Sequence, residues 1–193
     1  MMNRRTVLAT ALACAVPGAA SAQPRFDYLG FSVDLTAVAP HQRETLAAYI
    51  RQQIDLVEGL AIRPDIKAWF RTVAITVDPT LRMPGRFRGG RLTLDDTTSP
   101  PENPVLLHEL LHGYMDGRLR PTGEVRAFYE QAKASGDWPA RSYMLTNVAE
   151  FFAMTASVAL IGRASRPPST RERLREKMPD CYAWLVREFG LET

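Results

Sequence analysis

Cysteine is almost missing from this chain of 193 residues, which holds only Cys14 and Cys181. Cys14 lies in a stretch expected to be removed, so no intramolecular disulfide is available and stability must come from an apolar core and any bound metal. Cys181 is then expected as a small buried apolar side chain. Histidine is scarce as well, with three residues, His41, His108 and His112. A surplus of charge is also lacking. The net charge is +3, and Arg4 and Arg5 supply two of those charges, leaving +1. The arginines are scattered along the sequence rather than gathered in one basic stripe, which excludes a nucleic-acid partner. No apolar run after the N-terminal one is long enough to cross a bilayer, so stable membrane insertion is excluded too. Repeats and low-complexity tracts are absent. With 46% hydrophobic and 23% charged residues, the composition is that of one globular domain with a real core.

The N-terminus reads as a targeting segment. Residues 1–5 are basic, residues 6–20 are apolar, and Ala20-Ser21-Ala22 is a small-residue cleavage site, which places the mature start at Gln23. Asn3-Arg4-Arg5-Thr6-Val7-Leu8 also resembles a twin-arginine signal, so ordinary secretion and export of the folded protein both stand. A lipoprotein signal ending at Cys14 is disfavoured, because position 11 is Ala and a better cleavage site follows. The expected organisation is a signal peptide at 1–22 and one domain at 23–193, located in the periplasm or secreted.

The rest of the chain is organised around Val105-Leu106-Leu107-His108-Glu109-Leu110-Leu111-His112-Gly113. Its four leucines make a helix apolar nearly all round, hence a core helix. Positions i and i+4 share one face of a helix, so His108 and His112 can aim both imidazoles at one point, as two ligands of one Zn²⁺ must. Glu109, about 100° round the helix, is placed to hold the water on such a metal and take its proton. Two histidines and a glutamate on a core helix are costly unless a metal compensates them.

Around this helix the pattern alternates between strands and helices. Residues 26–36 read as a first strand, followed by a helix from Pro40 to Gly59 with Leu46, Ile50, Ile54 and Val57 on one stripe. His41 falls in its first turn as a solvated side chain. Residues 65–71 suit a short helical turn that sets Trp69 and Phe70 against the core, and residues 72–77 a strand. The segment 81–90 is turn-rich, and 91–95 alternates polar and apolar like a half-exposed edge strand. Pro104 fits the first position of the histidine helix, and Gly117 its end. Further helices are expected over 121–135, with Thr122 as cap, and over 147–161. Ser169-Thr170-Arg171-Glu172 is a capping box opening a last helix that Pro179 divides. Trp138, Trp184 and Tyr182 are core candidates.

A catalytic zinc usually has a third protein ligand. Six residues after His112 stands Arg118, which cannot serve. Of the acids downstream, Glu150 is alone among Val148, Ala149, Phe151 and Phe152, and an unpaired buried carboxylate wants a cation. Glu130 and Asp116 are the alternatives, although Arg126 and Lys133 make Glu130 look like part of a solvated helix face. On the residues alone Tyr143 reads as a core or rim aromatic, and Asn147 as a helix cap or a brace for Glu150.

His108-Glu109-Leu110-Leu111-His112, followed by Tyr143 and then Asn147-Val148-Ala149-Glu150-Phe151, resembles the gluzincin metallopeptidases, and within them the lethal-factor-type peptidase domain. The resemblance covers roughly residues 91–160. It implies a zincin-like α+β fold, a small, twisted, mostly antiparallel sheet packed on helices. It also implies Zn²⁺ held by His108, His112 and Glu150, with Glu109 as general base and Tyr143 polarising the scissile carbonyl. The substrate it implies is a peptide or protein whose extended chain pairs with an edge strand, here 91–95. One departure is Met154, four residues beyond Glu150, where such enzymes commonly carry an acid that orients a zinc histidine; losing such a partner typically costs ~10–100-fold in affinity or activity. The expected function is zinc-dependent peptide-bond hydrolysis. Two other readings are a zinc-binding pseudo-peptidase acting as a binding protein, and a zinc amidase acting on a non-protein amide.

Overall fold

The computed structural model describes residues 23–100, 103–119 and 122–191. The expected signal peptide at 1–22 lies outside the described residues. Phe26 to Thr36 is not one strand. Leu29 and Gly30 both take positive φ, 48° and 87°, and fold the segment into a hairpin of β1 (Arg25–Tyr28) and β2 (Phe31–Asp34). A two-residue turn of that hand matches the twist of the flanking strands. Helices α1 (Arg43–Glu58) and α2 (Pro64–Arg71) then carry the chain over to β3 (Ile75–Val77), which pairs parallel with β2. The stripe of Leu46, Ile50, Ile54 and Val57 is buried as its spacing predicts, and His41 is exposed.

The segment expected to be only turn-rich contains a strand. β4 (Gly85–Arg88) and β5 (Arg91–Leu94) form a second hairpin around Gly89 and Gly90, again both at positive φ. The five strands lie in the order β1-β2-β3-β5-β4. β5 is therefore interior, parallel to β3 on one side and antiparallel to β4 on the other, and β4 is a free edge, with β1 the edge at the far end. The assignment of 91–95 to the edge is thus corrected. A glycine-rich run reads as loop, yet Gly-Gly between two short alternating stretches is itself a hairpin signal. The outer pairs are antiparallel and the two inner ones parallel, so the small sheet is mixed.

Beneath the sheet runs α3 (Val105–Gly117), with Leu106, Leu107, Leu110 and Leu111 fully buried. Pro104 sits one residue ahead of it rather than inside its first turn. After α4 (Gly123–Ser135) and a 3₁₀ turn (Tyr143–Leu145), α5 (Val148–Ile161) packs along α3 and buries every residue from Phe151 to Leu160. The described part of α4 starts at Gly123, and Thr122 makes no side-chain cap there. Pro179 separates α6 (Arg171–Lys177) from α7 (Pro179–Phe189). The cap of α6 is Thr170, which accepts from the Arg173 N–H at 3.2 Å, so the box expected from Ser169 and Glu172 is shifted by one residue. Cys181 is buried and free, and burial pushes its thiol up to about 12, as suits a packing residue.

β4 meets α3 at two glycines. A Cβ on Gly113 would stand 2.5 Å from Cε2 of Phe87, and one on Gly85 would stand 2.7 Å from Cγ of Glu109. The edge strand can approach the helix this closely only because both positions lack side chains. Gly113→Ala should therefore destabilise the fold by about 1–3 kcal/mol through overpacking, although alanine is the better helix former by about 1 kcal/mol. Urea midpoints would show the loss, and Phe87→Leu in the same chain should recover much of it. A stabilised Gly113→Ala would mean that the contact is slack.

Candidate metal centre

α3 presents His108 and His112 one turn apart, and the first turn of α5 presents Glu150 opposite them. The start of α5 is fixed by Asn147, whose Oδ1 accepts from the Glu150 N–H at 2.9 Å, so Asn147 acts as cap and brace at once. Nε2 of His108 lies 3.0 Å from Nε2 of His112 and 3.1 Å from Oε2 of Glu150. The His112 Nε2 to Glu150 Oε2 separation is 3.4 Å. Atoms bound ~2.0–2.1 Å from a tetrahedral zinc are about 3.3 Å apart, so the three donors already sit close to the edges of such a tetrahedron. Two imidazole nitrogens and one carboxylate oxygen are also a donor set that a divalent cation satisfies together, whereas a proton bridges only two of them. His108, His112 and Glu150 could hold a metal ion, and theirs is the one such cluster among the described residues.

The electrostatics follow from this placement. Burial acts to raise the Glu150 carboxyl, but hydrogen bonds and charge from His108 and His112 outweigh it and hold the group well below the usual carboxylate range. Glu109 is only 6% exposed. Its burial raises its proton affinity, opposed by the two histidines and by the nearby Phe87 backbone. Tyr143 is on the 3₁₀ turn, its ring 6.2 Å from that of His108. Burial, and then the nearby Glu150 carboxylate, push the phenol up to about 12. Tyr143 therefore lines the cleft beside the three donors, and its hydroxyl stays protonated at neutral pH.

The alternatives weighed for the third ligand are not in this cluster. Glu130, on α4, is exposed and faces Lys133 at 3.9 Å, as a solvated helix face does. Asp116 lines the same cleft one turn beyond His112 without joining the three donors. Met154 lines it too, so no carboxylate stands at that position of α5. Trp138 and Trp184 are core residues, and Tyr182 is half-buried against the core.

The cluster forms the floor of a cleft of about 1280 Å³, walled by β4 and its preceding loop on one side and by residues 164–166 on the other. Two participants were invisible in the sequence pattern. One is β4, whose Gly85 leaves room for Glu109. The other is Arg166, whose guanidinium carbon lies 5.1 Å over the Tyr143 ring. The register of the β4–β5 hairpin sets what β4 offers the cleft. Arg88 and Arg91 close the two-residue turn, so Arg86 and Arg88 hydrogen-bond to β5, and Gly85 and Phe87 turn their backbone groups to the free edge.

No protein-family model matches the chain, and no curated protein matches it. Among solved structures, the fold is similar to that of the Pro-Pro endopeptidase from Paenibacillus alvei, at 17% identity and a TM-score of 0.53. The likeness covers 76% of this chain and 92% of that one. At this identity it speaks for the fold, a zincin-like α+β arrangement with a small sheet packed on helices.

Proposed function

We propose that the chain is a zinc-dependent peptide-bond hydrolase of the gluzincin kind, nearest in plan to the lethal-factor-type domain. The observation that carries this is the convergence of His108, His112 and Glu150 to within 3.4 Å, beside a buried Glu109, on the floor of a cleft edged by a free strand. The similar fold of a solved endopeptidase supports the same reading. A zinc ion held by those three residues supplies a Lewis acid for the scissile carbonyl and acidifies the attacking water.

The protein's own groups supply the rest. Glu109 takes a proton from the water and passes it to the leaving amine, and its raised proton affinity brings it nearer the range in which one carboxylate does both. The Tyr143 hydroxyl, protonated at working pH, donates to the developing oxyanion. An extended peptide adds to the β4 edge through the outward backbone groups of Gly85 and Phe87. Residues 1–22 serve as a signal peptide, which places the enzyme in the periplasm or outside the cell. The basic start, apolar stretch and Ala20-Ser21-Ala22 support this location. No helix among the described residues is long and apolar enough to cross a membrane.

The test is digestion of a broad peptide library by the mature protein, read by mass spectrometry. Cleavage should stop with a chelator and return with zinc. A zinc-loaded, folded protein that cleaves no peptide would favour the binding-protein reading, and cleavage confined to non-protein amides the amidase.

A further inference from the structure

The β4–β5 hairpin sets arginines that are near neighbours in the sequence side by side on its outer face. Along β4, Gly85 and Phe87 turn toward α3, so Arg86 and Arg88 stand on the opposite face, both exposed. On β5, Arg91 is directly across from Arg88, and Thr93 across from Arg86. Like charges directly opposite on one face of a sheet repel. Nothing nearby cancels them: among the described residues no carboxylate lies within ion-pair distance of Arg86, Arg88 or Arg91. Asp78 feels the charge of Arg86, but its carboxylate is committed to Thr80. Arg166 adds a further cation on the facing wall of the cleft. An unpaired row of positive charge therefore runs along the strand whose edge is free.

We propose that this row selects the substrate: the peptide seated on β4 carries carboxylates at alternate positions, as cross-strand partners of Arg86 and Arg88. A strand added to β4 places every second side chain on the outer face, beside these two arginines, and turns the intervening ones toward α3. The spacing of two residues follows from the pleat, and the sign follows from the uncancelled guanidinium groups. The inference rests on the peptide-hydrolase reading only in seating the peptide at this edge. The competing explanation is that the arginines merely keep free edges of two copies apart.

The experiment measures binding rather than turnover. Fluorescent extended octapeptides that differ only in having Glu, Gln or Lys at alternate positions are titrated into zinc-loaded Glu109→Gln protein, with anisotropy as the readout. The Glu peptide should bind about tenfold tighter than its Gln isostere at low salt, with the difference shrinking to about twofold at 0.5 M salt, as exposed pairs do. Arg86→Gln or Arg88→Gln should each remove about two- to fivefold of this preference, and the double variant nearly all of it, leaving binding of the Gln peptide unchanged. Arg86→Glu with Arg88→Glu should transfer the preference to the Lys peptide. Three results would overturn the proposal: no Glu preference, a preference that survives the double variant, or a single-stranded oligonucleotide of equal charge binding more tightly than the Glu peptide. Self-association of the double variant with unchanged selectivity would leave only the edge-protection role. If the arginine-dependent preference holds but the library digest shows no cleavage, the hydrolase reading fails and the acidic-peptide site stands. Cleavage indifferent to acidic residues gives the reverse.

Discussion

Glu109→Gln should bind zinc, melt like the parent and lose hydrolysis by about 10²–10⁴-fold, the usual contribution of a positioned general base. The glutamine keeps the shape under β4, where Gly85 leaves space. It cannot take a proton from water. Because Glu109 is only 6% exposed and burial disfavours its charge, replacing it by a neutral isostere should not cost stability and may be checked by a melting curve. The comparison needs kcat and zinc content from one preparation. Retained turnover at full zinc occupancy would remove Glu109 from the chemistry.

Tyr143→Phe removes one hydroxyl and should lower kcat by about 10²–10³-fold, as the loss of one oxyanion donor does, with KM and metal content nearly unchanged. The ring is 39% exposed and keeps its place beside His108 and under Arg166 without the hydroxyl, so a folding defect is not expected. Glu150, a ligand candidate, also acts on the hydroxyl, which creates a second route to an effect. The two routes separate in the measurement. A hydroxyl that acts on the oxyanion changes kcat at constant zinc affinity. One that only tunes Glu150 changes zinc affinity and leaves kcat of the loaded enzyme alone.

The histidine helix and α5 were legible in the sequence because both are apolar nearly all round, so His108, Glu109, His112 and Glu150 stand out as charges and ligands that need compensation. That reasoning located the three residues that converge. Its limits are physical as well. β4 was hidden because Gly85, Gly89 and Gly90 read as loop, whereas Gly85 is there to let the strand lie on Glu109, and the other two make the turn. Which strand is the edge depends on non-local pairing, so local alternation at 91–95 pointed to the wrong one. The arginines read as scattered along the whole chain, but Arg86, Arg88 and Arg91 are near neighbours and the hairpin pairing sets Arg91 against Arg88. The placement of Tyr143 beside His108 depends on how the 3₁₀ turn enters α5, and local spacing does not encode it.

The central claim is that His108, His112 and Glu150 form one metal site, and metal analysis of the purified mature protein tests it most directly. The expected result is close to one zinc per chain, abolished by His108→Ala or His112→Ala and strongly weakened by Glu150→Ala, with Glu130→Ala and Asp116→Ala unchanged. Full zinc retention in either histidine variant, or in Glu150→Ala, would contradict the account.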